Sequence, residues 1–63
     1  MKNIILLKNL NEEEQCKVLE RALSETRVDF EINFAKKCVI VEGNSDMVAI
    51  ARKVVSDNGF MII

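Results

Sequence analysis

The sequence predicts a single α+β domain in which four antiparallel strands form one sheet and two helices cover one face of it. Hydrophobic residues make up 49% and charged residues 30% of the 63 residues, a balance typical of a globular chain. The apolar periodicity follows the order strand, helix, strand, strand, helix, strand. No proline, linker or low-complexity tract divides the chain, so residues 1–63 are expected to form one domain.

The first half of the pattern predicts a strand followed by a helix. Residues 3–7 are mostly aliphatic and indicate a short strand buried on both faces. Asn11, with Glu14 three residues later, has the form of a capping box and predicts a helix start. The helix is expected to run from about Glu12 to Ser24. Its apolar stripe at helical spacing consists of Val18, Leu19, Ala22 and Leu23.

The middle of the chain predicts a β-hairpin. Residues 28–34 alternate apolar and polar side chains with a period of two, which indicates a half-buried strand. Residues 35–37 form a short turn. The next strand runs from Cys38 to Glu42, and Val39 and Val41 are expected to face the helices.

The last third predicts a second helix and a final strand. Ser45 is a suitable N-cap, and Asp46 suits the first helical turn. An apolar stripe runs through residues 47–55, and Asn58 with Gly59 ends the helix. Residues 60–63 are then expected to form the fourth strand. Because crossover connections are right-handed, both helices should lie on the same face of the sheet.

Charge and hydropathy exclude several classes of protein. The net charge is −1, and acidic and basic residues are mixed along the chain, so we expect no nucleic-acid partner. The apolar run at residues 4–7 is shorter than the core of a signal peptide, and no segment has the length of a membrane span. The expected location is the cytoplasm, where both cysteines would stay reduced.

Three segments together resemble the heavy-metal-associated domain, the fold of copper chaperones and of the N-terminal modules of metal-pumping ATPases. Residues 19–23 (LERAL) resemble the family's first helix, residues 30–42 resemble its lysine-containing hairpin, and residues 59–60 (GF) resemble its ending. This resemblance implies a ferredoxin-like βαββαβ sandwich.

The metal-binding motif of that family is absent from the aligned segment. The family carries G-M-x-C-x-x-C where residues 9–15 of this chain read NLNEEEQ. Leu10 takes the place of the methionine that points into the core, and Glu12 and Gln15 take the places of the two thiols. A carboxylate and an amide are hard oxygen donors that do not suit Cu(I). We therefore expect a degenerate member with no metal and no cofactor, in which Cys16 is the nearest thiol.

The two cysteines leave alternatives open. In this topology Cys16 and Cys38 lie at the same end of the domain but on opposite sides of the sheet, so an intramolecular disulfide is not expected. Both can serve as small apolar residues. The other readings are a shared metal site, pairing of Cys38 across a dimer, and a reactive Cys16 activated by the helix N-terminus.

Strand parity carried from the helix-facing Val39 and Val41, together with the pattern of the family that the sequence resembles, implies that Ile5 and Leu7 point inward. Apolar side chains are then left on the face of the sheet that the helices leave open. The expected contact residues are Ile4, Leu6, Cys38 and Ile40. A contiguous apolar patch of this kind commonly marks a contact surface, although scattered aliphatic residues need no explanation. Either Phe60 with Ile62, or Met61 with Ile63, would extend the patch.

These observations favour a protein-interaction or regulatory module in a metal-homeostasis setting, whose partner is another protein or a second copy. The alternative is an unusual metal-binding chaperone or ATPase N-terminal domain that uses Cys16 or Cys38, possibly across a dimer. Catalysis is not expected, because the sequence has no histidine and no paired carboxylates on facing elements. A small-molecule sensor or an acylphosphatase of the same topology would need a glycine or an arginine in the first loop.

Overall fold

The computed structural model describes residues 2–63 and contains three strands and two helices in the predicted order. The elements are β1 (Lys2–Leu6), α1 (Glu13–Ser24), β2 (Asp29–Asn33), β3 (Cys38–Glu42) and α2 (Ser45–Asp57). Neither helix has the length and apolar character that crossing a membrane requires.

The sheet has the strand order β1-β3-β2, and both pairings are antiparallel. Ile5 and Ile32 both lie opposite Val39, so these three side chains share one face. Both helices cover that face, as predicted. The resulting core consists of Ile5, Leu7, Leu10, Leu19, Leu23, Val28, Val39, Val41, Ala51, Val55 and Phe60.

The first strand differs from the prediction in its burial. Residues 3–7 were expected to be buried on both faces, but β1 alternates between the buried Ile5 and the exposed Ile4 and Leu6. Only one face of β1 is covered by helices, so a run of apolar residues here is compatible with one open face.

The predicted fourth strand is wrong within the part of the chain that the structure describes. Ile62 forms only an isolated antiparallel bridge with Leu7. Two backbone hydrogen bonds flank the bridge, from Lys8 N to Met61 O (2.8 Å) and from Ile63 N to Leu6 O (3.0 Å). The segment thus pairs with the last residue of β1 and the loop after it. The pairing is short because the chain bends at Lys8 and Asn9, directly after the bridge residue Leu7.

The second helix begins at Ser45, so its N-cap lies one residue before the predicted cap. Asn44, not Ser45, is the N-cap, and its Oδ1 accepts the backbone N–H of Met47 at 3.0 Å. The predicted end is confirmed: Gly59 has φ +88°. The N–H of Gly59 donates to Ser56 O, and the N–H of Phe60 donates to Val55 O. This pair of bonds is a Schellman motif, and it turns the chain from α2 back towards β1.

Candidate functional site

The first loop, the hairpin turn and the end of α2 meet at one end of the domain, as the topology predicted. Leu7 N donates to Lys37 O at 2.9 Å, which joins the end of β1 to the hairpin turn. The Nζ of Lys37 lies 3.5 Å from Asn11 Oδ1 in the loop. This is the end of the domain that carries the metal site in the family that the sequence resembles.

Gln15 holds the first loop through its side-chain amide. Its Oε1 accepts the backbone N–H groups of Asn11 at 2.7 Å and Glu12 at 2.9 Å. Its Nε2 donates to the carbonyl oxygen of Asn9 at 3.2 Å. The residue that stands where the second thiol would be expected therefore makes three hydrogen bonds to the loop backbone.

These contacts correct the predicted start of α1. Glu12 is the N-cap, with Gln15 at the third helical position, so the predicted pairing of Asn11 with Glu14 is wrong. Three consecutive acids follow Asn11 in the sequence, and their spacing alone does not show which residue is the N-cap. Gln15 decides the cap because its amide can satisfy the backbone N–H groups of two loop residues.

The remaining loop positions also have structural roles. Leu10 is fully buried in the core, as predicted from its alignment with the family's methionine. Glu12 is exposed. Among residues 2–63, no three Cys, Asp or Glu side chains converge in a way that could hold a metal ion. The loop before α1 presents the exposed carboxylate of Glu12, while the side-chain amide of Asn9 bonds to backbone and that of Asn11 contacts Lys37.

Cys16 is a free thiol that lies partly buried against the core. Burial raises the pKa of the Cys16 thiol above its ordinary value, and the carboxylates of Glu13 and Glu20 raise it further. The N-terminus of a helix can stabilise a thiolate, which would lower the thiol pKa. The pKa of Cys16 is instead raised, so the structure gives no support to an activated Cys16.

Cys38 is buried more deeply than the prediction of an open-face residue suggested. Its register partners on β1 and β2 are Leu6 and Asn33, which places all three on the open face. Only 2% of Cys38 is exposed, yet it does not belong to the core cluster between sheet and helices. Neighbouring side chains of the open face therefore shield it, and its thiol is free.

The open face carries an apolar patch that spans three neighbouring chain segments. Ile4 lies opposite Ile40, and Leu6 lies opposite Cys38. The exposed fraction is 65% for Ile4 and 47% for Leu6. We call this surface the apolar patch. Its members are Ile4, Leu6, Cys38, Ile40, Met61 and Ile63.

The bridge at the end of β1 decides which C-terminal residues join the apolar patch. Because Ile62 pairs with the buried Leu7, its two sequence neighbours face the opposite side of the sheet. Met61 is 57% exposed and Ile63 is 77% exposed. Of the two alternatives left open by the sequence, the structure selects Met61 with Ile63.

Charged residues of opposite sign occupy the two ends of the open face. Lys2, Glu42 and Asp29 form one row across the sheet, and Glu31 lies beside Ile40 in the next row. Beyond the other end of the apolar patch lie Lys8, Lys36 and Lys37, all exposed. We call the set Asp29, Glu31 and Glu42 the acidic end; with Lys2 in its outer row, three carboxylates and one ammonium group give a net charge of −2 there. The set Lys8, Lys36 and Lys37 is the basic end.

Sequence reasoning missed Asn9 as a positioning residue. Its Nδ2 donates to Gly59 O at 3.0 Å, and its Oδ1 accepts the N–H of Met61 at 2.8 Å. These bonds hold the segment that carries two exposed members of the apolar patch. The available signal was the replacement of a glycine by asparagine at the first position of the aligned loop.

Comparisons with known proteins find no relative. No protein-family model matches the sequence, and neither does any curated protein or any solved structure. The likeness to heavy-metal-associated domains therefore remains a resemblance. It rests on residues 19–23, 30–42 and 59–60 of the sequence.

Proposed function

We propose that this protein is a binding module that acts by protein contact through the apolar patch on the open face of its sheet. The observation that carries the proposal is a continuous surface on which large apolar side chains of β1 and the C-terminal segment are exposed beside the half-buried Ile40 of β3. The exposed side chains are Ile4, Leu6, Met61 and Ile63. Apolar side chains contribute most when they are removed from water, at roughly 25 cal/mol per Å² of buried area. A surface of this kind is typical of a contact site.

We further propose that the module derives from a heavy-metal-associated domain and serves in a metal-homeostasis setting. Two features support this origin: Leu10, which aligns with the family's methionine, is fully buried, and residues 9–15 span the end of the connection between β1 and α1 and the first turn of α1. In this proposal the hydrogen bonds of Gln15 replace the metal as the device that orders the loop.

Site-directed photocrosslinking tests the docking surface. Met61→p-benzoylphenylalanine places the reactive group at the edge of the apolar patch. We expect discrete crosslinked products in the cell that naturally makes the protein, and we expect Leu6→Lys in the same chain to abolish them. The matched control is Glu20→p-benzoylphenylalanine, at an exposed position of α1. Equal products from both positions, or none from position 61, would overturn the proposal.

Titration with Cu(I) under reducing conditions tests the metal alternative. No residue contact favours it, because Cys16 packs against the core and Cys38 is buried on the other side of the sheet. We expect no stoichiometric binding by the natural chain. The variant with Glu12→Cys and Gln15→Cys is expected to gain Cu(I) binding, since two thiolates at this spacing suit that ion. Stoichiometric binding by the natural chain would instead favour a metal carrier.

A further inference from the structure

We infer that the occupant of the apolar patch is a second copy of this chain, packed face to face with its strands antiparallel to those of the first. This inference rests on the proposed function and names its partner. It is carried by the distribution of charge around the apolar patch, which is complementary to itself under one particular two-fold rotation.

The two charged ends lie far enough apart to act separately. Lys8 lies six residues after Lys2, just beyond the end of β1, so the two ends are separated by up to about 20 Å at about 3.3 Å per residue. The Debye length at physiological ionic strength is about 8 Å. Each end therefore interacts mainly with the part of a partner that lies directly over it.

A two-fold axis between the sheets and perpendicular to the strands reverses the strand direction. It places the acidic end of one copy over the basic end of the other, and it does so twice because the contact is isologous. Along β1 it also brings Lys2 of one copy towards Lys8 of the other, but the net charges of the two ends, −2 and +3, remain complementary. The row of Ile4 and Ile40 then faces the row of Leu6 and Cys38. An axis parallel to the strands would instead place acidic ends over each other and basic ends over each other, which is unfavourable.

The size of the face predicts a weak dimer. The Cα atoms span 28 × 20 × 16 Å. We assign the shortest span to the thickness of the sheet and helix layers together. The other two spans limit the footprint of one face to roughly 560 Å², so a dimer buries at most on the order of 1,100 Å², below the ~1,600 Å² of a standard interface. We expect association in the micromolar to millimolar range of concentration.

Sedimentation equilibrium of the full chain and its charge-reversed variants tests the arrangement. One variant reverses the acidic end (Glu31→Lys with Glu42→Lys), and another reverses the basic end (Lys8→Glu with Lys36→Glu). Each is expected to weaken self-association by about tenfold, because both ends then carry one sign. A mixture of the two variants, and a chain carrying all four changes, are expected to dimerise like the natural protein.

Two results would overturn this inference. One is a natural chain that stays monomeric at 1 mM, on the order of the weakest association that the buried area allows. The other is a pair of reversed variants that dimerise as well as the natural chain. A dilution series of the natural chain by NMR gives a readout that does not depend on variants. The amides of Ile4, Leu6 and Ile40 should shift with concentration, while those on the exposed side of α1 should not.

The crosslinking experiment separates this inference from the proposed function. A Met61-dependent product with twice the mass of the chain supports the dimer. A product of another discrete mass, together with a monomeric natural chain, overturns the dimer but leaves the docking surface in place. No product at all overturns both.

Discussion

The side-chain Oδ1 of Asn9 accepts the backbone N–H of Met61 at 2.8 Å. The bond extends the short antiparallel pairing formed by the bridge between Leu7 and Ile62, with a side-chain oxygen in place of a backbone acceptor. The Nδ2 of the same amide donates to Gly59 O, at the turn that ends α2. One asparagine in the first loop thereby fixes the path of the C-terminal segment and the position of Met61 on the open face.

Replacing Asn9 should loosen this segment without unfolding the domain. Asn9→Ala removes both hydrogen bonds, and net contributions of about 0.5–1.5 kcal/mol per bond predict a loss of about 1–3 kcal/mol in the free energy of unfolding. The amides of Met61 and Ile63 should exchange faster with solvent, which NMR can measure. Asn11→Ala is the control: within the described residues the hydrogen bond of the Asn11 side chain is with Lys37 Nζ at 3.5 Å, and the substitution keeps the backbone N–H bond to Gln15. Equal effects of the two substitutions would contradict the assigned role of Asn9.

The hairpin could be predicted from the sequence because the alternation of side chains along its strands follows directly from which face of the sheet is buried. Val39 and Val41 alternate with residues of the open face, and helices cover only one side, so the pattern fixes both strand and facing. The end of α2 was predictable for a similarly local reason: Gly59 is suited to a positive φ that other residues rarely adopt.

Neither the N-cap of α1 nor the short pairing of the C-terminal segment could be predicted from the apolar periodicity of the sequence. Both depend on side-chain amides that reach across the first loop: Gln15 reaches the backbone of Asn11 and Glu12, and Asn9 reaches residues about fifty positions away. No periodicity encodes such contacts. The burial of Cys38 was not predicted for a related reason. Strand parity tells on which face of the sheet a side chain lies, but not whether other side chains cover it.

Gln15 provides a test of how the loop is ordered. Gln15→Ala removes the acceptor of two backbone N–H groups, and the loss of a cap predicts a destabilisation of about 1 kcal/mol. Gln15→Glu keeps the Oε1 atom that accepts both N–H groups and loses the donor to Asn9 O, so its effect should be smaller. Urea unfolding of both variants measures the difference. If Gln15→Glu is the more harmful change, the donor bond is the one that orders the loop.

Leu10 should behave as a core residue despite its place in a loop. Leu10→Ala is expected to cost about 2–5 kcal/mol, a large part of the stability of so small a domain. Leu10→Met preserves volume and should cost less than about 1.5 kcal/mol. Leu6→Ala, measured in dilute solution, is the matched control, because Leu6 is 47% exposed. Similar midpoints of urea unfolding for Leu10→Ala and Leu6→Ala would contradict the packing of the loop against the core.

The thiol of Cys16 should be less reactive than a free cysteine. Burial, Glu13 and Glu20 raise its pKa in the folded protein, so the folded state holds the proton more tightly than the unfolded chain does. The corresponding stabilisation is complete below the unfolded thiol pKa of about 8.5 and is lost as pH rises through the higher folded value. Stability should therefore fall above about pH 8.5.

Alkylation of a Cys38→Ala chain by iodoacetamide measures the titration of Cys16 alone. The rate should reach half its maximum at a higher pH than that of a free thiol, because only the thiolate reacts. Glu13→Gln and Glu20→Gln should each lower that midpoint. Glu25→Gln should leave it unchanged, because Glu25 lies about 13 Å further along the helix axis. A midpoint below that of a free thiol would show that the N-terminus of α1 stabilises the thiolate more than burial and the two carboxylates oppose it, and would restore Cys16 as a candidate reactive site.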